Sequence, residues 1–191
     1  CIAGSLYYNI SPIIVFNKVD SLSNREIKKL DDIIKIYNEI NIKALKISAK
    51  ENLYIEELEY ILKGKKTLLI GNSGVGKSTL INKISKVSNQ KTDVLSSKTG
   101  RGKQTTTFSE IFEIDISGTI TDTPGFKDFY FFDIDKSSLQ FLYPEFKMRD
   151  KCKFKNCLHK DEPGCSIKEN LGIEVNEKRY NNYLSILSEI T

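Results

Sequence analysis

Tryptophan is absent from this chain of 191 residues, histidine and methionine occur once each, and proline only four times. Apolar stretches are short. None nears the roughly 20 residues that a membrane-spanning helix needs, and no segment resembles a signal peptide. No internal repeat or low-complexity tract occurs, so repeat and linker architectures are set aside. What remains is a composition that is 39% hydrophobic and 28% charged, suited to one globular domain with a small appendage. The expected setting is soluble, cytoplasmic and monomeric. Net charge is +4 and the pI near 8.7, which permits an acidic partner without demanding one. Base outnumbers acid between residues 147 and 160, where Lys147, Arg149, Lys151, Lys153, Lys155 and Lys160 face only Asp150. Such a run is usually a solvated face, and it is also the footprint a polyanion seeks. The chain opens on Cys1 rather than methionine and soon enters an apolar strand, which reads as a piece of something longer.

Ile13 to Phe16 is a short apolar run that ends in polar NKVD, a buried strand by pattern. Ser23 and Glu26 form an S-x-x-E capping box, followed at helical spacing by Ile27, Leu30, Ile34 and Tyr37. The pattern then predicts a strand over 43–47, a helix over 55–62, a strand over 67–70 and a helix from Lys77. Residues 86–107 are polar and read as a long loop. Alternation over 108–116, a break at Gly118 and resumption over 119–121 predict an antiparallel hairpin. Strand–helix alternation elsewhere implies an α/β domain with a mainly parallel sheet and helices on both faces. Beyond Gly125 the sequence turns aromatic, then cysteine-rich, then helical around 178–190. We place the boundary near residue 135, with a nucleotide-binding domain over 1–135 and a small helical metal-binding domain over 136–191.

The segment GNSGVGKST (Gly71, Asn72, Ser73, Gly74, Val75, Gly76, Lys77, Ser78, Thr79) matches G-x-x-x-x-G-K-[ST]. It lies between a predicted strand and a predicted helix, as the motif requires. Its backbone N–H groups would cradle phosphates, Lys77 would reach the β- and γ-phosphates, and Ser78 would hold Mg²⁺. A plain glycine-rich turn is the competing reading, and it does not explain all four defining residues. NKVD (Asn17, Lys18, Val19, Asp20) supplies a carboxylate that can accept from the guanine N1–H and N2–H₂ edge. Adenine lacks both donors there. It would leave the charged group unpaired under the base, at about 1–3 kcal/mol or more. Lys18 can lie along the base, and Asn17 can tie this loop to the phosphate loop. Ser48-Ala49-Lys50, at the next strand end, matches the second guanine loop of GTPases. Asp122-Thr123-Pro124-Gly125 matches D-x-x-G: Asp122 would hold Mg²⁺ through water and the Gly125 N–H would sense the γ-phosphate. Thr106, in the run Gln104-Thr105-Thr106-Thr107, is the candidate switch threonine on Mg²⁺.

These elements stand in two blocks whose order is inverted relative to a Ras-like domain, where the phosphate loop comes first. Joining the two blocks preserves each strand's place and moves only the chain ends, so the pattern is that of a circular permutation.

Cys152-x₄-Cys157-x-His159-x₅-Cys165 gathers three of the four cysteines and the only histidine. A Cys₃His set suits tetrahedral structural zinc. Disulfides are the alternative, and an odd set of three in a cytosolic chain argues against them.

Taken together, permuted NKVD, SAK, GNSGVGKST, GKQTTT and DTPGF, then PEF and the C-x₄-C-x-H-x₅-C cluster with its EPGC segment, resemble the ribosome small-subunit-dependent GTPase A family. The resemblance runs from Ile13 to the final helix. It implies a GTP hydrolase (GTP to GDP and phosphate) that binds rRNA on the small ribosomal subunit late in its maturation and is released on hydrolysis. A nucleotide-gated RNA-binding module with incidental hydrolysis is the rival reading. The resemblance further implies an N-terminal OB-fold, and a strand between the phosphate-loop and NKVD strands, neither of which this sequence contains. Phe126 stands where Ras-like enzymes have the water-orienting Gln, and Gln104 where the resembled family commonly has His. With His159 committed to metal, no histidine is left as general base. Gln104 becomes the candidate water-orienting residue.

Overall fold

The computed structural model describes residues 1–85, 110–114, 117–122, 134–147 and 149–190. Its elements are α1 (Ile2–Tyr7), β1 (Ile13–Phe16), α2 (Asn24–Glu39), β2 (Lys43–Lys46), α3 (Ile55–Leu62), β3 (Lys66–Leu69), α4 (Lys77–Ile84), β4 (Glu110–Ile114), β5 (Gly118–Asp122), α5 (Lys136–Leu139), α6 (Ser166–Glu169) and α7 (Glu177–Glu189). They pack as two compact units, one of residues 15–31 and 45–128, the other of residues 1–14, 32–44 and 129–191. The packing therefore does not follow a single cut in the sequence: the chain crosses between the units within β1, α2 and β2.

In the first unit, β3 and β5 pair in parallel and β4 pairs antiparallel with β5, giving the order β3-β5-β4. The register sets Asp122, the last residue of β5, level with Leu69, the last residue of β3. The loop that begins at Gly71 and the aspartate thus leave the same end of two parallel strands, where α/β sheets bind ligands. The hairpin turns at Ser117, which carries the left-handed φ of +61°, rather than at Gly118. Gly118 has a different constraint: a Cβ there would lie 2.8 Å from the Lys65 carbonyl and 3.1 Å from that of Leu62. Ile84, Ile114 and Ile120 are almost wholly buried, each contributing about 1.5–3 kcal/mol by leaving water.

β1 and β2 form a separate two-stranded sheet. Just past their ends, the Ile47 N–H donates to the Phe16 carbonyl (2.8 Å) and the Val19 N–H to the Ile47 carbonyl (3.2 Å), so the loops at 17–20 and 47–50 emerge side by side. The capping box at the start of α2 is formed: the Glu26 carboxylate accepts from the Ser23 N–H at 2.8 Å, and the Glu26 N–H donates to Ser23 Oγ at 3.4 Å.

The second unit closes on an aromatic core. Phe146 and Tyr183 are fully buried and meet edge to face, ring centroids 4.9 Å apart; Phe146 meets the His159 ring in the same way at 5.4 Å. Asp135 caps α5 by accepting from the Ser138 N–H (2.9 Å), and Asn176 caps α7 by accepting from the Lys178 and Arg179 N–H groups. Glu145 and Arg179 form a buried, doubly bonded ion pair, with the guanidinium lying over Tyr37 (5.2 Å) and Tyr143 (5.3 Å).

Candidate functional site

Within the first unit, Asn17 joins three chain segments. Its Nδ2 donates to the Val75 carbonyl (3.0 Å), and its Oδ1 accepts from the Lys18 N–H (2.8 Å) and the Ala49 N–H (3.0 Å). One amide thereby fixes NKVD to both the glycine-rich loop and the S-A-K loop. Lys18, in left-handed backbone at φ +69°, adds a second tie from its Nζ to the Gly74 carbonyl at 2.6 Å. Ser48, fully buried, donates its hydroxyl to Asp20 Oδ1 at 2.5 Å and accepts from the Glu51 N–H at 3.1 Å. The carboxylate is thus aimed by its neighbour while Asp20 itself stays exposed. Lys50 pairs with Glu51 (3.1 Å), whose hydrogen bond and charge push the lysine pKa up.

The glycine-rich loop curls as its composition dictates. Gly74 and Gly76 hold φ of +80° and +97°, and a Cβ on Gly76 would lie 2.3 Å from Asn17 Nδ2. Lys77 folds back so that its Nζ donates to the Gly71 (2.6 Å) and Asn72 (3.1 Å) carbonyls. Asn17, Lys18, Asp20, Ser21, Lys50, Gly76 and Thr79 line a cleft of about 210 Å³. Ser73 and Val75 are exposed on the same loop, and Ser78 is exposed in the first turn of α4.

Asp122 Oδ1 is buried and, among the described residues, has no hydrogen-bond partner. An orphaned carboxylate oxygen costs about 1–3 kcal/mol or more, and a cation with its water shell would satisfy it. This fits Mg²⁺: Asp122 ends β5 level with Leu69, the strand end that leads through the glycine-rich loop to Ser78 in the first turn of α4. Gln104, Thr106 and Gly125 lie outside the described residues, as does Phe126.

In the second unit the ligand atoms of Cys152, Cys157, His159 and Cys165 all lie within 4.8 Å of one another. His159 Nδ1 faces inward, 3.3 Å from Cys165 Sγ and 3.6 Å from Cys152 Sγ. All four cysteines are free thiols, so the disulfide alternative is not realised. Burial, the largest influence, pushes Cys157 up to about 12 and raises Cys165 as well, while it lowers His159. At Cys152 burial is outweighed by hydrogen bonds from Ser166 and the Ile167 N–H, and the pKa falls. A soft dication binding here makes thiolates by displacing protons, and three sulfurs with one imidazole are the donor set zinc prefers. The loop is held by Glu162, whose carboxylate accepts from the Leu158, Lys160 and Asp161 N–H groups at 2.8–3.1 Å. Tyr180 and Tyr183 donate their hydroxyls to the His159 and Leu158 carbonyls.

Several of these residues escape sequence reasoning. Glu162 has a weak signal, as a carboxylate just before Pro-Gly in a cysteine loop. Gln140, which meets His159, and the Glu145–Arg179 pair have none at helical or strand spacing, because their partners are 19 and 34 residues away.

A phosphate-loop strand paired in parallel with a strand ending in aspartate, and a guanine-type loop bound to it from earlier in the chain, define a circularly permuted P-loop GTPase fold. The chain belongs to the RsgA GTPase family, whose model matches residues 1–132. It is 43% identical over 182 residues to the small ribosomal subunit biogenesis GTPase RsgA of Flavobacterium psychrophilum, covering 94% of this chain and 56% of that protein. To the protein of the same name from Clostridium beijerinckii it is 44% identical over 187 residues, covering 96% and 63%. Among solved structures, YjeQ from Thermotoga maritima superposes with a TM-score of 0.78 at 32% identity, over 99% of this chain and 63% of that one. A second, YloQ, described as a circularly permuted GTPase, has a TM-score of 0.77 at 24% identity, over 99% and 60%, and supports the fold alone. The chain thus spans just over half to under two thirds of the length of these relatives. No described helix is long and apolar enough to cross a membrane.

Proposed function

We propose that this chain is the GTP-binding and metal-binding part of a cytoplasmic, monomeric GTP hydrolase that acts in late maturation of the small ribosomal subunit. The observation that carries the reading is the double tie from Asn17 and Lys18 to the glycine-rich loop, which holds the guanine-reading and phosphate-holding loops around one cleft. The names of the similar proteins, small ribosomal subunit biogenesis GTPases, supply the partner. Residues 1–135 form the nucleotide domain and 136–191 the metal domain in this reading.

The residues divide the work. Asp20, aimed by Ser48, accepts from the guanine edge, and Lys18 and Lys50 flank the base. The backbone from Gly71 to Gly76 and the start of α4 receive the phosphates, and Lys77 exchanges its carbonyl partners for phosphate oxygens. When bound, Mg²⁺ supplies charge neutralisation between the phosphates. Ser78, Thr106 and, through water, Asp122 would hold it. The Gly125 N–H senses the γ-phosphate, and Gln104 orients the attacking water. Cys152, Cys157, His159 and Cys165 would hold one structural zinc, and the lysines between 147 and 160 would meet rRNA phosphates.

Turnover of GTP by the full-length protein, with and without purified small subunits, tests this. Marked stimulation is the expected result. Equal rates would favour the RNA-binding module with incidental hydrolysis.

A further inference from the structure

Gln140 is buried next to the only histidine of the chain, and its amide has one usable orientation. Nε2 of Gln140 donates to the Ser137 carbonyl at 2.9 Å, so Oε1 is the end that meets His159 Nε2, also at 2.9 Å. Reversing the amide would set two acceptors against each other at Ser137. Because Oε1 can only accept, His159 Nε2 must carry the proton. The neutral imidazole then presents a bare lone pair at Nδ1, the atom that faces Cys152 and Cys165 Sγ. Gln140 is itself held in place. It follows α5, whose start is fixed by Asp135 accepting from the Ser137 hydroxyl (2.5 Å), the Ser138 N–H (2.9 Å) and the Ser138 hydroxyl (2.8 Å).

We propose that Gln140 is the positioning residue of the metal site: it selects the His159 tautomer and ring orientation that make Nδ1 a ligand. The geometry also explains an otherwise costly choice. A polar amide at this depth is tolerated because each of its two ends has a partner, and an apolar residue of the same size would leave the imidazole N–H unpaired in a dry core. Outer partners of metal-bound histidines typically change affinity by about 10–100-fold when removed. The assignment rests on the reading that the cluster holds zinc, and not on the nucleotide site.

Because the chain has a single histidine, ¹⁵N-labelled imidazole in the zinc-loaded full-length protein gives one interpretable signal set, provided any other histidines are silenced by selective labelling of this segment. The expected pattern has the proton on Nε2 and a metal-shifted Nδ1. In parallel, zinc transfer to a chromogenic chelator is timed for Gln140→Leu and Gln140→Glu. Leu removes the acceptor and should speed release tenfold or more. Glu keeps an acceptor oxygen for Nε2 but sets its other oxygen against the Ser137 carbonyl, so it should release zinc faster than the parent yet more slowly than Leu. Release faster than Leu would point to packing alone and overturn the proposal. A proton on Nδ1 with metal on Nε2 overturns the proposal, as does release from Gln140→Leu at the parental rate. Should Gln140→Leu fail to fold, the imidazole spectrum of the parent still decides. Absence of zinc on elemental analysis sinks the zinc reading itself, and is thereby distinguished from zinc that binds without regard to Gln140.

Discussion

Ser48 Oγ donates to Asp20 Oδ1 at 2.5 Å, so the loop after β2 aims the carboxylate of the loop after β1. On the proposed function, base selectivity would have two layers, one residue that reads and one that holds the reader. Asp20→Asn should weaken GTP binding at least tenfold, about 1.4 kcal/mol, and improve binding of xanthosine triphosphate. Ser48→Ala should weaken GTP several-fold without changing the preference for guanine. Titration of each variant with both nucleotides checks this, and unchanged GTP affinity for Asp20→Asn would remove the guanine-reading role.

Gly76 tests the tie between the two loops. Alanine there must adopt φ +97°, and its Cβ would sit 2.3 Å from Asn17 Nδ2. The backbone strain alone costs about 1–3 kcal/mol, and displacing Asn17 breaks its bonds to Val75 and Ala49 as well. We expect Gly76→Ala to lower the melting temperature by several degrees and to abolish measurable GTP binding. Asn17→Ala should lose affinity with less loss of stability, since it cuts the bonds without straining φ.

How far the sequence reaches can be judged residue by residue. The glycine-rich loop, NKVD, S-A-K and the Cys₃His cluster are legible because each is a short motif at a strand or loop end, and the chemistry it would serve fixes its spacing. Helix α3 and the capping box of α2 follow from local pattern for the same reason. The hairpin turn shifts to Ser117 because the packing of Gly118 against two carbonyls is a tertiary demand that no alternation pattern carries. Ser48 as the holder of Asp20, Gln140 under His159 and Arg179 against Glu145 join residues 19–34 positions apart. Only the fold brings them together. The grouping of residues 1–14 and 32–44 with the metal-binding segment is hidden for the same reason: it is a matter of packing, not of composition.

The buried ion pair yields a stability prediction with an internal control. Arg179 is held between Tyr37 and Tyr143 and bonded twice to Glu145, which, against the opposing effect of burial, raises its pKa. Arg179→Met leaves Glu145 charged and unpaired, and should cost about 3–5 kcal/mol by denaturant unfolding. The double change Glu145→Met with Arg179→Met removes both charges, and should recover most of that loss. No recovery in the double variant would mean that the guanidinium's stacking between the tyrosines, rather than charge pairing, dominates.

Metal removal should act on the second unit first. Cys157, His159 and Cys165 are buried beneath α7, and zinc binding would supply much of the folding free energy of so small a module. We expect one zinc per chain, and loss of amide protection around Phe146 and Tyr183 under a strong chelator. Ready alkylation of Cys157 in the zinc-loaded protein would count against a closed site.

Gln104, Thr106 and Phe126, the residues proposed to stand nearest the bond that hydrolysis would break, lie outside the described residues. Chemistry still constrains that step. Phe126 has no group to orient a water, and the one histidine faces three sulfurs in the metal cluster. An amide such as Gln104 can orient a water without taking its proton. Gln104→Ala should leave GTP affinity within about threefold, yet cut small-subunit-stimulated turnover tenfold or more, the signature of an interaction made chiefly in the transition state. Gln104→His should retain activity, because an imidazole can hold the same water. Stimulated turnover of Gln104→Ala at the parental rate would assign the activating group to the ribosome instead.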